Sequence, residues 1–539
     1  MRLIVSALFI GCLALGTFSP ACTLPGARDD ATAQRNGAGK KESKDKKHRG
    51  TFTIGKETTY ISSPVDKDGY IDYSADLNER LRQGVTPANN ANILLLKALG
   101  PHHYGHTLPA EFFQFMEMEA PPVAGEYFIE PAQFMKEHLK VDPDEGEKEL
   151  ALVLKGPWTA NDYPDMAAWL KANEKPLGLI VEATKRSQYY SPLVAKMSKG
   201  GSDLLAVRLG GAQKCRSCAN ALIARATFRM AQGASDAAWQ DLLACHRLGR
   251  LVGRGATIIE ALIAFAVEQS ACSADLVFLH RARPTAQQVE SCLRDLQRLP
   301  PLPAMADKVD LGERYTLLNA IMLVDRYGIQ YMESLSDGNL NRPNPLGNSL
   351  LEDIDWDPAL RSTNQLLDRI AAAMRKKDRS ARQNSLKQIE AELEALKHKA
   401  VDPNTGLKDF ILGDNQARGR ATGNMLIGLM IPGATKVQLA ADQTQQIDDN
   451  VQVAFALAWY ERDHGRYPKG LAELAPKYLN QVPQDSFSGK ALIYRPAAKG
   501  YLLYSVGING RDDEGRGRDD TPAGDDLSVR MPLPEVRRK

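Results

Sequence analysis

The residues with the clearest chemical potential lie in an acidic loop near the C-terminus, from Asn509 to Asp526. Calcium prefers about six to eight oxygen ligands from carboxylates and backbone carbonyls, and glycines within the loop would let the backbone bend around an ion. We therefore predict a calcium site with the ligands Asn509, Asp512, Asp513, Asp519 and Asp520. The competing interpretation, which we place slightly ahead, is a solvated acidic loop, because arginines are interleaved with these residues and the spacing does not fit an EF-hand.

A group of histidines is the second candidate for metal chemistry. His102, His103 and His106 fall within five residues, and Glu111 follows five residues later. Imidazoles bind transition metals, but no cysteine or carboxylate stands at a fixed ligand spacing. Histidines in a loop after a helix are usually surface residues, and we favour that interpretation.

Five cysteines of the mature chain fall in one helical stretch: Cys215, Cys218, Cys245, Cys272 and Cys292. The pair at 215 and 218 has redox spacing, but thioredoxin-like chemistry needs that pair after a strand. We expect small buried apolar residues, with a structural disulfide as the alternative in an exported protein. The adjacent pair Cys245-His246 is a poor nucleophile and base, because neighbours on a helix point about 100° apart.

Alternating carboxylates at Asp353, Asp355 and Asp357 could serve acid–base chemistry or bind a cation. Pro358 follows directly, so the simpler prediction is that Asp357 caps the next helix.

Composition and missing motifs exclude several classes of function. The chain has a formal net charge of +2, with 43% hydrophobic and 25% charged residues, which argues against a dedicated nucleic-acid-binding protein. It contains no nucleotide-binding glycine loop, GxSxG elbow, HExxH motif or zinc-type cysteine pairing. We therefore predict neither a catalytic residue nor an organic cofactor.

The N-terminal residues predict an exported protein. Residues 1–21 have a basic start, a short apolar core and small residues at the end, as in a signal peptide. Cys22 follows directly, so a lipid anchor at this cysteine is the alternative to cleavage and release. Residues 22–50 are charged and poor in apolar residues, which predicts a disordered basic linker. We expect no transmembrane span in the mature chain, and a location in the periplasm or cell envelope.

The remaining chain predicts a mainly α fold with a small α+β domain at its C-terminus. Residues 51–162 form a mixed, mostly helical lead-in region, and residues 163–413 form an α-helical body. Helical hairpins with short glycine turns, as at residues 231–239, indicate an irregular tetratricopeptide-like arrangement. Residues 366–400 predict one long charged helix, whose short leucine seam we expect to pack against the protein itself.

Residues 414–539 predict a long helix followed by a small head. Apolar positions from Ile447 to Ala458 have helical spacing, and Gly465 is a stop signal. A short helix, a β-hairpin, the acidic loop and a final strand follow in our prediction.

These C-terminal motifs resemble the globular head of the type II secretion major pseudopilins. The matching residues are Gly465, Tyr467, Pro468, Asp485, Phe487, Gly489, Tyr501, Tyr504, Ser505, Gly507, Asn509 and Gly510. The resemblance covers about the last 85 to 110 residues and implies a calcium-binding acidic loop. Unlike those proteins, this chain has no apolar membrane helix directly before the head, which favours a borrowed head module over a polymerising pilin. The whole chain also resembles uncharacterised exported proteins of the planctomycete type.

We therefore expect an exported, non-enzymatic interaction or structural protein that binds a protein or peptide partner. One alternative is a secretion or envelope-assembly component related to pseudopilins. The other is an exported hydrolase whose site forms only in three dimensions.

Overall fold

The computed structural model describes residues 50–102, 108–195, 201–207, 209–328, 330–331, 351–402, 406–430 and 433–535. Within these ranges the chain is mainly α-helical and ends in a small antiparallel sheet of three strands. The predicted fold class is confirmed. The predicted signal peptide, Cys22 and nearly all of the basic linker lie outside the described residues.

Short helices make up the first part of the chain. They are α1 (Tyr73–Leu81), α2 (Ala91–Leu99), α3 (Ala110–Phe115), α4 (Pro131–Phe134), α5 (Pro143–Val153), α6 (Pro164–Ala172) and α7 (Glu174–Thr184), with a π-helical turn at Met135–Leu139 and a 3₁₀ turn at Leu204–Ala206. Asp72 and Asn90 begin α1 and α2, because each side chain accepts a hydrogen bond from a backbone N–H of the first turn.

Longer helices form the centre of the body: α8 (Gly210–Ala231), α9 (Ser235–Val252), α10 (Ile258–Val277) and α11 (Ala286–Gln297). A π-helical turn, Phe278–Ala282, extends α10. Gly233 takes a φ of 74° between α8 and α9, a conformation that suits glycine. Thr257 and Glu260 form a capping box that starts α10. These local signals explain why the helical hairpins are recognisable from sequence.

The next helices are α12 (Met305–Lys308), α13 (Arg314–Tyr327), α14 (Asp357–Met374), α15 (Arg379–Val401), α16 (Gly406–Leu412) and α17 (Asn415–Met430), with a π-helical turn at Val309–Glu313. The prediction of one helix over residues 366–400 is wrong. The chain breaks after Met374, and Asp378 starts α15 by accepting a hydrogen bond from Ala381 N at 2.6 Å. Leu386 and Ile389 of the predicted seam pack in the protein's own core.

A helix of 31 residues, α18 (Ala434–His464), leads into the head. Gly465 ends it with a φ of 68°, as the stop signal predicts. A 3₁₀ turn at Leu471–Leu474 precedes β1 (Ile493–Ala497), β2 (Gly500–Ser505) and β3 (Leu527–Met531). The strands pair in the order β1-β2-β3, with Leu503 opposite both Tyr494 and Val529.

The head and the helical body share one hydrophobic core. Trp239 of α9 lies with its ring 5.5 Å from that of Phe455 in α18. Leu503 and Val529 of the sheet belong to the same buried cluster. The sheet is therefore packed on the body, which creates a seam between the two.

One described helix, Ile258–Ala282, is long and apolar enough to cross a membrane by length and composition alone. However, 78% of its apolar window is buried inside the protein. Its hydrophobicity is therefore accounted for by its place in the core, where helices are apolar on most sides.

The five cysteines are all buried and free. The alternative of a structural disulfide among them is therefore wrong for this structure. Cys215 and Cys218 both lie within α8, and burial raises the pKa of each thiol above its ordinary value. A raised pKa disfavours the reactive thiolate, so the pair acts as apolar packing.

Candidate functional site

The acidic loop connects β2 to β3 and folds back on itself. Gly507, Gly510 and Gly515 have φ values of 67°, 69° and 79°, which favour glycine. A Cβ atom on Gly507 would lie 2.1 Å from the backbone oxygen of Asp525. The first glycine is therefore required for the two ends of the loop to approach each other.

This folding brings together the carboxylates of Asp513, Asp525 and Asp526, each offering an oxygen within 4.8 Å of the others. Asp526 is buried, and its Oδ2 accepts hydrogen bonds from Asp513 N at 3.1 Å and Gly515 N at 2.7 Å. Asp525 Oδ2 accepts one from Asn509 N at 2.8 Å. The other oxygen of each, Oδ1, is buried and has no hydrogen-bond partner among the described residues.

The surroundings shift these carboxyl groups in opposite directions. Burial raises the pKa of Asp526, and the charge of Asp513 adds to this effect. The pKa of Asp513 is lowered, first by the hydrogen bond from Asn509 Nδ2 at 3.0 Å and then by the N–H of Asp525. Convergent carboxylates with free oxygens are ligands that a hard divalent cation prefers.

The residues predicted to bind calcium are only partly brought together. Asp513 belongs to the cluster, and Asn509 supports it through hydrogen bonds to Asp513 and Asp525. Asp512 instead accepts a hydrogen bond from Tyr504 Oη at 2.9 Å. In the described structure, Asp520 forms an ion pair with Arg530 at 2.9 Å, and Asp519 is exposed. The prediction left out Asp525 and Asp526, because sequence spacing does not show which loop ends meet.

A second cluster lies deep between α9, α10 and α18; we call it the ion network, and it comprises His246, Arg250, Glu268, Asp275 and Asp448. His246 Nδ1 lies 2.9 Å from Glu268 Oε1, and its Nε2 lies 2.9 Å from Asp275 Oδ2. Arg250 Nη1 lies 2.7 Å from Glu268 Oε2, in an ion pair without hydrogen-bond alignment. Arg250 Nη2 reaches Asp448 Oδ2 at 3.6 Å, and its Nε donates to Pro300 O at 2.7 Å.

Charge pairing decides the protonation of this network. Burial alone would lower the pKa of His246, but the carboxylates of Glu268 and Asp275 raise it well above its ordinary value. Burial acts against the ionised form of Glu268, yet His246 and Arg250 hold its pKa below the ordinary value. Burial raises the pKa of Asp448 to about 7. A protonated imidazole therefore lies between two acidic groups.

The ion network does not suit catalysis or metal binding. The side chains of His246, Glu268 and Asp275 are 0% exposed, so no substrate reaches them in this conformation. Cys272 lies beside His246 and Glu268, but both carboxylate oxygens of Glu268 already contact His246 and Arg250. Both ring nitrogens of His246 already contact carboxylates. The network fits a role in fixing the packing of the three helices.

Sequence reasoning missed this network, although one signal was visible. Glu268 and Asp275 are acidic residues seven positions apart in a mostly apolar helix. His246 and Arg250 lie four apart on α9, on one face of that helix. Charged residues at such spacing on buried helices indicate partners across the interface.

The other predicted candidates have local roles or lie outside the described residues. Residues 103–107, with two of the three histidines, are not described, and His102 is exposed. The prediction that Asp357 caps α14 is wrong by one position, because Trp356 is the N-cap and Asp357 is the first helical residue. Asp355 Oδ1 accepts the N–H of Asp357 at 3.1 Å, and Asp357 Oδ1 accepts that of Thr53 at 2.7 Å.

Within the head, Asp485 of the pseudopilin-like motif joins a turn to the sheet. This buried carboxylate accepts hydrogen bonds from Ser505 Oγ at 2.6 Å, Phe487 N at 2.8 Å and Val506 N at 3.1 Å. The order of elements is the one expected from the sequence, and the family assignment itself stays a prediction. No protein-family model, no curated protein and no solved structure matches the chain.

Proposed function

We propose that this chain is an exported interaction or structural protein without catalytic activity, and that calcium stabilises its C-terminal head. The helical body supplies a rigid frame for a protein or peptide partner. The sheet is packed on that frame through the shared core. The acidic loop is then a structural metal site, which fixes the exposed side of the head.

The observation that carries the calcium proposal is the pair of free carboxylate oxygens, Asp525 Oδ1 and Asp526 Oδ1. A buried charged oxygen without a partner is costly, since burial removes its hydration. A divalent cation between Asp513, Asp525 and Asp526 would offset this cost. Backbone carbonyls of the loop and water would supply the remaining oxygen ligands that calcium needs.

The non-enzymatic role is supported by how the acid and base groups are used. His246 is sealed between carboxylates in the core, and Asp355 and Asp357 bind backbone N–H groups. Acid–base catalysis needs such groups within reach of a substrate. These acid and base groups are engaged in structural contacts, so we do not favour the hydrolase alternative.

A secretion or envelope-assembly role is the second candidate. The order of elements after Gly465 favours it, because helix end, hairpin, acidic loop and final strand follow as in the resemblance. In contrast, α18 is buried along much of its length against the body, with Val453, Phe455 and Leu457 in the core. This packing favours a head fixed on its own body over one that polymerises through the helix.

Export itself rests on residues 1–21, and attachment to the membrane rests on Cys22. The intact mass of protein purified from the producing cells separates these proposals. Loss of the signal segment alone supports release into the periplasm, and an added mass of diacylglycerol at Cys22 supports a lipid anchor. A full-length, unmodified chain argues against both.

The experiment that tests the metal site is a calcium titration of the whole mature protein by calorimetry, followed by thermal unfolding with and without calcium. Binding to the folded state alone stabilises it by about 2.7 kcal/mol when calcium is 100-fold above its Kd. We expect Asp526→Asn to lose at least about tenfold in affinity, which corresponds to about 1.4 kcal/mol. An asparagine keeps one oxygen as acceptor for the loop N–H groups, so the apo fold is retained.

Asp519→Asn is the matched control, because Asp519 is exposed in the same loop. The substitution removes the same charge as Asp526→Asn. Its calcium affinity should stay within about twofold of the original. Equal losses in both variants would indicate attraction by loop charge without a defined site. No calcium heat at millimolar concentration, together with an unchanged melting temperature, would contradict the proposal.

A further inference from the structure

A cavity of about 450 Å³ opens at the seam between the head and the helical body. Its walls come from four places in the chain: the turn after α10, the C-terminal end of α18, the β1–β2 turn and the end of β3. We call it the seam cavity. None of its lining residues belongs to the acidic loop or to the ion network.

The lining of the seam cavity carries an excess of positive charge. Its lining includes Arg283, Arg462, Arg466 and Lys499, together with His280. Glu461 is the only carboxylate among the described lining residues, and it is taken up by an ion pair with Arg462. Three formal positive charges therefore remain without a carboxylate within the cavity.

Arg283 is held in this position by the backbone. It ends the π-helical turn Phe278–Ala282 with a φ of 48°, a left-handed conformation that is uncommon for residues other than glycine. Its guanidinium has no hydrogen bond or ion pair among the described residues. Lys140 takes the same conformation, with a φ of 60°, at the end of the π-helical turn Met135–Leu139, so this φ belongs to the end of the helix.

Neighbouring groups respond to the same positive field. Burial lowers the pKa of His280, and the charges of Arg281 and Arg283 lower it further. The pKa of Arg462 is also lowered, by burial and by Arg283. His280 Nδ1 is buried and has no hydrogen-bond partner in the described part of the chain. These groups are arranged at a net cost that an anion would offset.

Apolar and aromatic residues also line the cavity. Tyr467 and Tyr501 meet edge to face with ring centroids 5.0 Å apart. Leu279 and Met531 are buried lining residues. A cavity lined by both cationic and apolar groups fits a ligand with both characters.

We propose that the seam cavity binds a small organic anion whose phosphate or carboxylate group contacts the arginines and whose apolar part contacts Tyr467 and Tyr501. Guanidinium groups bind both kinds of oxyanion through paired N–H donors. The volume accommodates a compact ligand of this type, because ligand pockets usually enclose several hundred Å³.

Another cavity, of about 220 Å³ beside α13, shows how an arginine in a cavity can be neutralised by the protein itself. Its single arginine, Arg326, forms ion pairs with Asp66 at 2.6 Å and with Asp68. That cation is neutralised within the protein. Arg283 and Lys499 in the seam cavity have no such carboxylate partner among the described residues.

The test is calorimetric titration of the full mature chain at low salt with three probes: inorganic phosphate, phenyl phosphate and benzoate. Comparing phenyl phosphate with benzoate shows whether the cavity prefers a phosphate or a carboxylate group. Comparing phenyl phosphate with inorganic phosphate measures how much the apolar ring contributes to the affinity. We expect at least one aromatic probe to bind, and to bind about tenfold more tightly than phosphate alone. Binding should weaken as salt rises, because charge attraction is screened.

Arg283→Asn and Lys499→Gln should each lower the affinity about tenfold or more, since each removes a charge-assisted contact. Asparagine tolerates a left-handed backbone, so Arg283→Asn changes charge with little new strain. Lys490→Gln is the matched control, because Lys490 is exposed in the head and does not line the cavity. The affinity of the Lys490→Gln variant for the probes should stay unchanged.

Two results would overturn the proposal. One is the absence of heat with all three probes at millimolar concentration while the protein is folded by its melting curve. The other is equal affinity in Arg283→Asn, Lys499→Gln and the unchanged chain. If inorganic phosphate binds as tightly as phenyl phosphate, the proposed contact of the ligand with Tyr467 and Tyr501 is refuted. Calcium binding is measured separately, so failure here does not bear on the acidic loop.

Discussion

The ion network and the acidic loop both bring carboxylates together, but they neutralise them by different means. In the network, Glu268 and Asp275 meet His246 and Arg250 from a neighbouring helix. In the loop, the free oxygens of Asp525 and Asp526 meet no cation of the described chain. The first cluster has its counter-charges within the protein, although Asp275 Oδ1 is also buried without a hydrogen-bond partner, and the second is arranged for a cation that the described chain does not supply.

This difference suggests what each cluster does. A buried charge group with all its partners fixes how helices pack, and losing one partner leaves the others buried without compensation. A surface loop with unsatisfied carboxylates is a place where an ion adds stability from outside. Acidic groups that lie close together therefore do not by themselves indicate a cation-binding site. What indicates such a site is that the protein supplies no positive charge to neutralise them.

The largest expected effect comes from removing one partner of the ion network. Glu268→Ala leaves His246 and Arg250 buried, and we expect the free energy of unfolding to fall by about 3–5 kcal/mol. Urea denaturation monitored by circular dichroism measures this loss. Glu182→Ala is the control: its partner Lys185 is at 2.6 Å in an exposed pair, so the cost should be below about 1 kcal/mol. Similar small losses in both variants would mean that the network is not structural.

The next effect compares two glycines with nearly the same backbone conformation. Gly507 and Gly465 have φ values of 67° and 68°, but only a Cβ on Gly507 would strike the backbone oxygen of Asp525, at 2.1 Å. Gly465→Ala should cost about 1 kcal/mol from left-handed strain alone. Gly507→Ala should cost more than about 2 kcal/mol and also weaken calcium binding, because Asp525 is displaced. Thermal unfolding and calcium calorimetry check both; equal costs would show that the contact does not constrain the loop.

The third effect is a change in pH dependence, and it is the smallest of the three when compared over one pH unit. The pKa of Asp448 rises from an ordinary 3.8 to about 7 in the folded protein, so between these values the folded state holds a proton that the unfolded state has lost. Stability from this group is complete below pH 3.8 and is lost as pH rises through about 7. The slope reaches about −1.4 kcal/mol per pH unit.

Asp448→Asn removes this contribution, and we expect the free energy of unfolding to lose that negative component between pH 4 and 7. Urea denaturation at several pH values measures the slope. Asp519→Asn serves again as the control, because this exposed carboxylate should leave the slope unchanged. Parallel pH profiles for Asp448→Asn and the original protein would contradict the prediction.

Much of the secondary structure was predictable because its signals are local. Gly465 ends α18, and two short runs rich in Tyr, Leu, Ile or Val mark the strands of the hairpin. Boundaries that depend on packing were missed. The break between α14 and α15 follows from the cap at Asp378 and from burial of both helices, which a charged helical pattern does not reveal.

The sites were predictable only as far as their residues are close in sequence. The sequence predicted the acidic loop, and Asp513 as one of its ligands, because the acidic residues and glycines of this loop are close together in the chain. The closure of the loop onto Asp525 and Asp526 was missed, because it depends on the pairing of β2 with β3. The seam cavity was not predicted at all, since Arg283 is about 180 residues from Arg462 in the chain and still farther from Lys499.

The sequence by itself determined the mainly α fold class, the order of elements in the head and the acidic character of its last loop. These properties rest on periodicity, capping and composition, which neighbouring residues carry. The tertiary structure alone decided that His246 lies between Glu268 and Asp275, that Asp525 and Asp526 complete the loop, and that Arg283 and Lys499 line one cavity. The physical reason is that charge balance is a property of distance in space, and distance in space is set by how helices and strands pack.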